Sequence, residues 1–191
     1  MKNQILDSEF NEEEKPILEN PNIRYAGFWI RVGATFIDFL VLMPVVFLNY
    51  YNLLVVKNLP LLLLTIVIPM IYKPFMEYKY GATLGKMAVS VKVVDYNYSP
   101  ISLEQAATRY IPWFINVAIS AILTITLFNA PDFYEINELT EIGYATQNQP
   151  FYLYSQAYNF VFLLFVIFVA FNFKKQGLHD LMAKTYCIYT V

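Results

Sequence analysis

Four stretches of this sequence are apolar over the length needed to cross a bilayer. They run over about 27–50, 59–76, 106–128 and 153–173. Each is close to the roughly 20 residues that span ~30 Å of hydrocarbon as a helix. A backbone in hydrocarbon must pair its own N–H and C=O groups, so such stretches fold as helices. Pro69 and Pro112 fall inside two of them. A bundle tolerates this, because neighbouring helices satisfy the carbonyls a proline frees. The expected fold class is an all-α membrane protein, a four-helix transmembrane bundle in a lipid bilayer. Composition agrees, with 58% hydrophobic and 15% charged residues, against about 25% charged in soluble domains.

The flanks orient the spans. All of the 13 Lys and Arg residues except Lys57 fall on one side. The connection 129–150 has no Lys or Arg and carries Asp132, Glu135, Glu138 and Glu141. The positive-inside rule then predicts a multi-pass protein of the cell membrane, with both termini and the middle connection in the cytoplasm. Residues 1–22 hold Asp7, Glu9, Glu12, Glu13, Glu14 and Glu19 against Lys2 and Lys15. That pattern lacks the basic start of a signal peptide and predicts a disordered acidic tail ahead of a transmembrane domain over 23–191. A net charge of −2 with dispersed Lys and Arg argues against nucleic acid as a partner. The single Cys187 allows no internal disulfide.

The middle connection has its own pattern. Thr83 in Gly81-Ala82-Thr83-Leu84-Gly85-Lys86 suits a helix cap. Val89 to Val93 alternates with period two, and Asp95-Tyr96-Asn97-Tyr98-Ser99-Pro100 makes a turn. The C-terminal 185–191 is β-branched and aromatic. A small cytoplasmic β element, about 89–94 paired with 185–191, is expected.

Ionisable groups in the spans carry the functional reading. Asp38 lies roughly 15 Å along span one, near the midplane, where a charge costs about 2.5–3.5 kcal/mol on insertion scales. It is either a proton or cation site, or a buried anchor that locks span one to span three or four. Arg31 is ~10.5 Å earlier on the same helix. It is expected to snorkel or to bridge Asp180, which follows span four at the same depth. Asp38 would then take Arg109, Asn116 or Asn159 as its partner. His179 is either a proton acceptor or merely interfacial. Glu77 closes span two, facing the same mouth or solvated. Lys86 lacks the glycine run of a phosphate loop and is expected at a lipid headgroup. The acidic outer connection is expected to be a solvated loop or short exposed helix. No catalytic triad or metal cluster is spaced along the chain, so no enzyme activity, cofactor or metal is expected.

Three segments in this order resemble the RDD family of small bacterial membrane proteins, named for one arginine and two aspartates. They are Ala26-Gly27-Phe28-Trp29-Ile30-Arg31 with Ala34, Ile37 and Asp38; Gly81 and Thr83-Leu84-Gly85-Lys86 with Val91-Lys92-Val93-Val94-Asp95, Ser102 and Arg109; and Leu178-His179-Asp180 with Ala183 and Thr185. Lys184 and Ile30 depart from residues common in that family. The resemblance implies the fold. Some members look like cation/proton antiporters, and others sit beside partner proteins. Two functions follow as expectations. One is cation/proton exchange through Asp38, tuned by Arg31 and Asp180, in a homo-oligomer because four helices make a thin pathway. The other is a non-transporting scaffold or accessory subunit for membrane partner proteins.

Overall fold

The computed structural model describes residues 23–190. The acidic segment 1–22 lies outside the described residues. Among those described, four helices are long and apolar enough to cross a membrane. Helix α1 (Phe28–Tyr51) continues through a π turn (Asn52–Val56), and α2 covers Leu59–Tyr80. The short α3 (Leu84–Ala88) and strand β1 (Val91–Asp95) lead to α4 (Leu103–Phe128). Helix α5 (Leu139–Gln147) precedes α6 (Tyr152–Ile167), and α7 (Leu178–Met182) precedes β2 (Thr185–Tyr189). The expected bundle with a small sheet is what the chain forms.

Local chemistry sets the helix ends. The Asn58 side chain accepts from Leu61 N–H at 2.9 Å and starts α2, with Pro60 in its first turn. Gly81 ends it at φ +74°, a left-handed conformation open to glycine at little cost. That cap lies a turn beyond the expected end at residue 76, so Glu77 belongs to the helix. Ser102 and Gln105 form a reciprocal capping box at 3.1 and 3.0 Å, so α4 begins three residues before the expected 106. Span four ends earlier than 173, in a 3-10 turn over Phe168–Ala170.

The spans bury little against one another. Helix α1 buries only Ala34 and Asp38, one turn apart on one face, and α6 buries no residue. Helices that are apolar all round face lipid with the rest of their surface. Helix α1 packs on α2 and α3, whereas α4 packs on α2, α6 and α7.

Strands β1 and β2 pair antiparallel, Val91 with Tyr189, Val93 with Cys187 and Asp95 with Thr185. The edges differ from the expected 89–94 and 185–191. Ser90, at φ +56°, breaks the extended chain before Val91. Asp95 Oδ1 accepts from Asn97 and Ser99 N–H at 2.8 Å each, closing the turn after the strand. Ala26 N–H donates to Cys187 at 2.8 Å and ties the start of α1 to the sheet. Val91, Val93, Cys187, Ala26, Ile101 and Ala106 form one apolar core beneath it.

Candidate functional site

Asp38 has no cation within ion-pair distance among the described residues. Its Oδ1 accepts from the Gly85 N–H at 2.8 Å and from Tyr72 O–H at 3.0 Å; its Oδ2 accepts from Thr83 O–H at 2.7 Å. Thr83 in turn accepts from Lys86 N–H at 3.3 Å, and Tyr72 from Leu84 N–H at 3.1 Å. The carboxylate thus collects the first turn of α3, whose free N–H groups need acceptors. This corrects the expectation of Arg109, Asn116 or Asn159 as its partner. Asn116 instead donates to Asn159 at 2.7 Å, and Arg109 is engaged elsewhere. The reason is tertiary: the connection folds back between the spans and delivers donors to Asp38.

Gly85 makes that approach possible. A Cβ there would sit 2.0 Å from the Ala34 carbonyl oxygen and 2.9 Å from Asp38 Cγ. The small pair Ala34 and Gly85 brings α3 against α1 at backbone contact, close enough for Asp38 to reach the Gly85 amide.

A second buried cluster joins α1, α2, α4 and α7. Glu77, fully buried, accepts from Arg109 Nε at 2.9 Å and Tyr110 O–H at 2.8 Å, and pairs with Lys86. Arg109 Nη1 also lies 2.5 Å from Asp180 Oδ1 and donates to Thr185. That contact with Oδ1 is ionic, without hydrogen-bond geometry. Asp180 Oδ2 receives Arg31 Nη1 and the Gly177 N–H, the latter at 2.9 Å. Arg31 spends its other donors on the Ala26 carbonyl at 3.0 Å and the Lys175 carbonyl at 2.6 Å. Lys86, Glu77, Arg109, Asp180 and Arg31 therefore alternate in sign along one chain of contacts.

One expectation fails in this cluster, and one of the two readings of Glu77 is set aside. Lys86 pairs with Glu77 rather than a lipid headgroup, and Glu77 is buried rather than solvated. Both follow from the turn of α3, which carries Lys86 inward. The structure brings Arg31 and Asp180 together, as their common depth suggested.

His179 Nε2 is 3.3 Å from Asp180 Oδ1. Burial pushes the imidazole pKa down to about 4; Asp180 opposes this, and Arg109, Arg31 and Lys86 reinforce it. The ring is neutral at pH 7. Burial alone would raise the Asp180 carboxyl, but Arg109 and Arg31 outweigh it and hold it well below the usual carboxylate range.

Beside these clusters lies a cavity of about 520 Å³ between α1, α2, α4 and α6. Arg31, Asp38, Lys73, Lys86, Arg109 and His179 line one part, and Phe28, Phe36, Phe39, Trp113, Phe162 and Phe165 much of the rest.

A family model described as the RDD family matches residues 25–184. The chain belongs to the RDD family. No curated protein and no solved structure matches it. In this RDD protein, Gly81, Thr83, Gly85 and Lys86 form the turn that supplies Asp38 and Glu77 with partners. Lys184, one of its departures, adopts φ +53° after α7 and leaves the Asp180 contacts intact. Sequence reasoning missed Tyr72, Lys73 and Tyr110. Tyr110 had one signal, its place beside Arg109. Tyr72 and Lys73 had none, because only the fold sets span two against α3 and α4.

Proposed function

We propose that this RDD protein is a non-transporting accessory module of the membrane, without enzyme activity of its own. One observation supports this reading above others. Asp38, the carboxylate best placed for exchange, has both oxygens occupied by three donors from its own chain. An exchange site must release its ligand and rehydrate, and here that would break all three of these bonds. Here it anchors α3 to α1, and the ion network fixes α2, α4 and α7.

Partners would dock through α6. It buries none of its residues, and Asn159, whose Oδ1 accepts from Asn116, is exposed on an apolar helix. Such amides associate with other transmembrane helices through hydrogen bonds and small residues. The charge asymmetry of the flanks supports a cytoplasmic sheet end and cytoplasmic termini in the cell membrane.

The test is a pH-gradient assay in proteoliposomes with wild type and Asp38→Asn. The expected result is proton flux at the empty-vesicle level for both, with Na⁺ or K⁺ outside. Cation-driven flux in wild type that a folded Asp38→Asn loses would overturn the proposal in favour of exchange.

A further inference from the structure

The cavity beside the ion network combines two features that belong to one kind of ligand. Its walls are aromatic, and Val32, Phe36 and Phe39 on α1 are both lining and exposed to the lipid side. Helices α1 and α6 share no close-packed seam, so the space between them opens laterally. An apolar chain can enter from the bilayer without crossing a polar surface.

The inner part is cationic. Arg31, Lys73, Lys86 and Arg109 line it, and three carboxylates answer them: Asp38, Glu77 and Asp180. His179 is neutral, so one positive charge is left over. The surplus is shared by the cluster, and Lys73 is the one of these four cations without a direct ion pair. Arg31, Lys86 and Arg109 each contact a carboxylate, but Lys73 has none within 4 Å among the described residues. Its ammonium lies 4.6 Å from the Trp113 ring centre instead. An unpaired cation at membrane depth marks a site that needs an anion. Asp38 also faces the cavity, but its charge is committed to Tyr72, Thr83 and Gly85.

We propose that this cavity binds an anionic phospholipid, with the phosphate at Lys73 and one acyl chain along the aromatic walls of α1 and α6. The volume lies within the usual range for a ligand pocket, and basic pockets between transmembrane helices suit anionic headgroups. A free inorganic anion would make no use of the apolar walls, and a zwitterionic lipid brings a second cation with its phosphate and so adds no net negative charge to the cluster. The inference is independent of the accessory role, since a transporter could hold the same lipid.

Trp113 reports on the site. Trp29→Phe leaves it as the single tryptophan of the chain. This protein, in nonionic detergent, is titrated with phosphatidylglycerol or phosphatidylcholine carrying brominated acyl chains. Phosphatidylglycerol is expected to quench Trp113 at about tenfold lower concentration, and Lys73→Gln to remove that preference. Val166→Phe, which narrows the cavity without touching a charge, should weaken quenching by phosphatidylglycerol while Lys73 is intact. Equal quenching by both lipids, or an unchanged preference in Lys73→Gln, would overturn the proposal. So would full competition by inorganic phosphate, which would identify a free-anion site.

Discussion

At the sheet end of the bundle the spans meet through charges; at the other end they meet through uncharged, mostly apolar side chains, with one Asn49–Thr65 hydrogen bond at 2.7 Å. The sheet end buries Glu77, Arg109 and Asp180 in one network, and its cavity is lined by four cations. The other end packs Leu62, Leu127, Phe128, Phe133 and Ile142 together. A cavity of about 340 Å³ there has no ionisable lining residue. Its one cation, Lys57, caps the Tyr134 and Ile136 carbonyls at 2.7 Å each and so pins the outer connection. The outer connection, expected as a solvated loop or short exposed helix, forms the short and mostly exposed α5 but is also partly a lid, with Phe133 fully buried under it. The difference is one of tolerance. Apolar packing degrades gradually when a side chain changes, whereas a buried ion that loses its partner is left uncompensated.

The largest effect is expected from Glu77→Gln, which strands Lys86 and leaves Arg109 with Asp180 as its one carboxylate. Loss of one partner of a buried pair costs about 3–5 kcal/mol, read as a fall in thermal unfolding temperature in detergent. Gly85→Ala comes next. Its Cβ would meet the Ala34 backbone, so α3 must move away, at about 1–3 kcal/mol. Asp38→Asn added to Gly85→Ala should then cost less than in wild type, a coupling measured by a double-mutant cycle. At the apolar end, Phe133→Leu should cost below about 1.5 kcal/mol. A loss as large as that of Glu77→Gln would break the comparison.

A separate effect is pH dependence. His179 has a folded pKa of about 4 against 6.5, so the unfolded chain binds the extra proton between those values. Stability is complete above pH 6.5 and declines as pH falls toward 4. His179→Gln should flatten that slope in melting curves. Further loss on acidification belongs to Asp180, whose depressed carboxyl protonates only at lower pH.

Much of the fold was legible in the sequence, because bilayer length and strand alternation are local patterns. The four spans, the sheet pairing and the shared depth of Arg31 and Asp180 all follow from spacing along the chain. The partners of Asp38 were not legible. Thr83 and Gly85 are 45 and 47 residues away, and Tyr72 is 34 away. Nothing local says that a polar connection will fold back between spans. The same holds for Lys86, whose spacing suits a headgroup until α3 turns it toward Glu77.

By itself, then, the sequence determined the solvent of this protein, the number of its spans and its membership in the RDD family. Hydrophobic length and motif order are properties of consecutive residues. Only the tertiary structure decided which charges neutralise one another and which is left without a direct ion pair. A buried ion takes whatever partner the packing brings within reach, and Ala34 against Gly85 is the contact that sets that packing here.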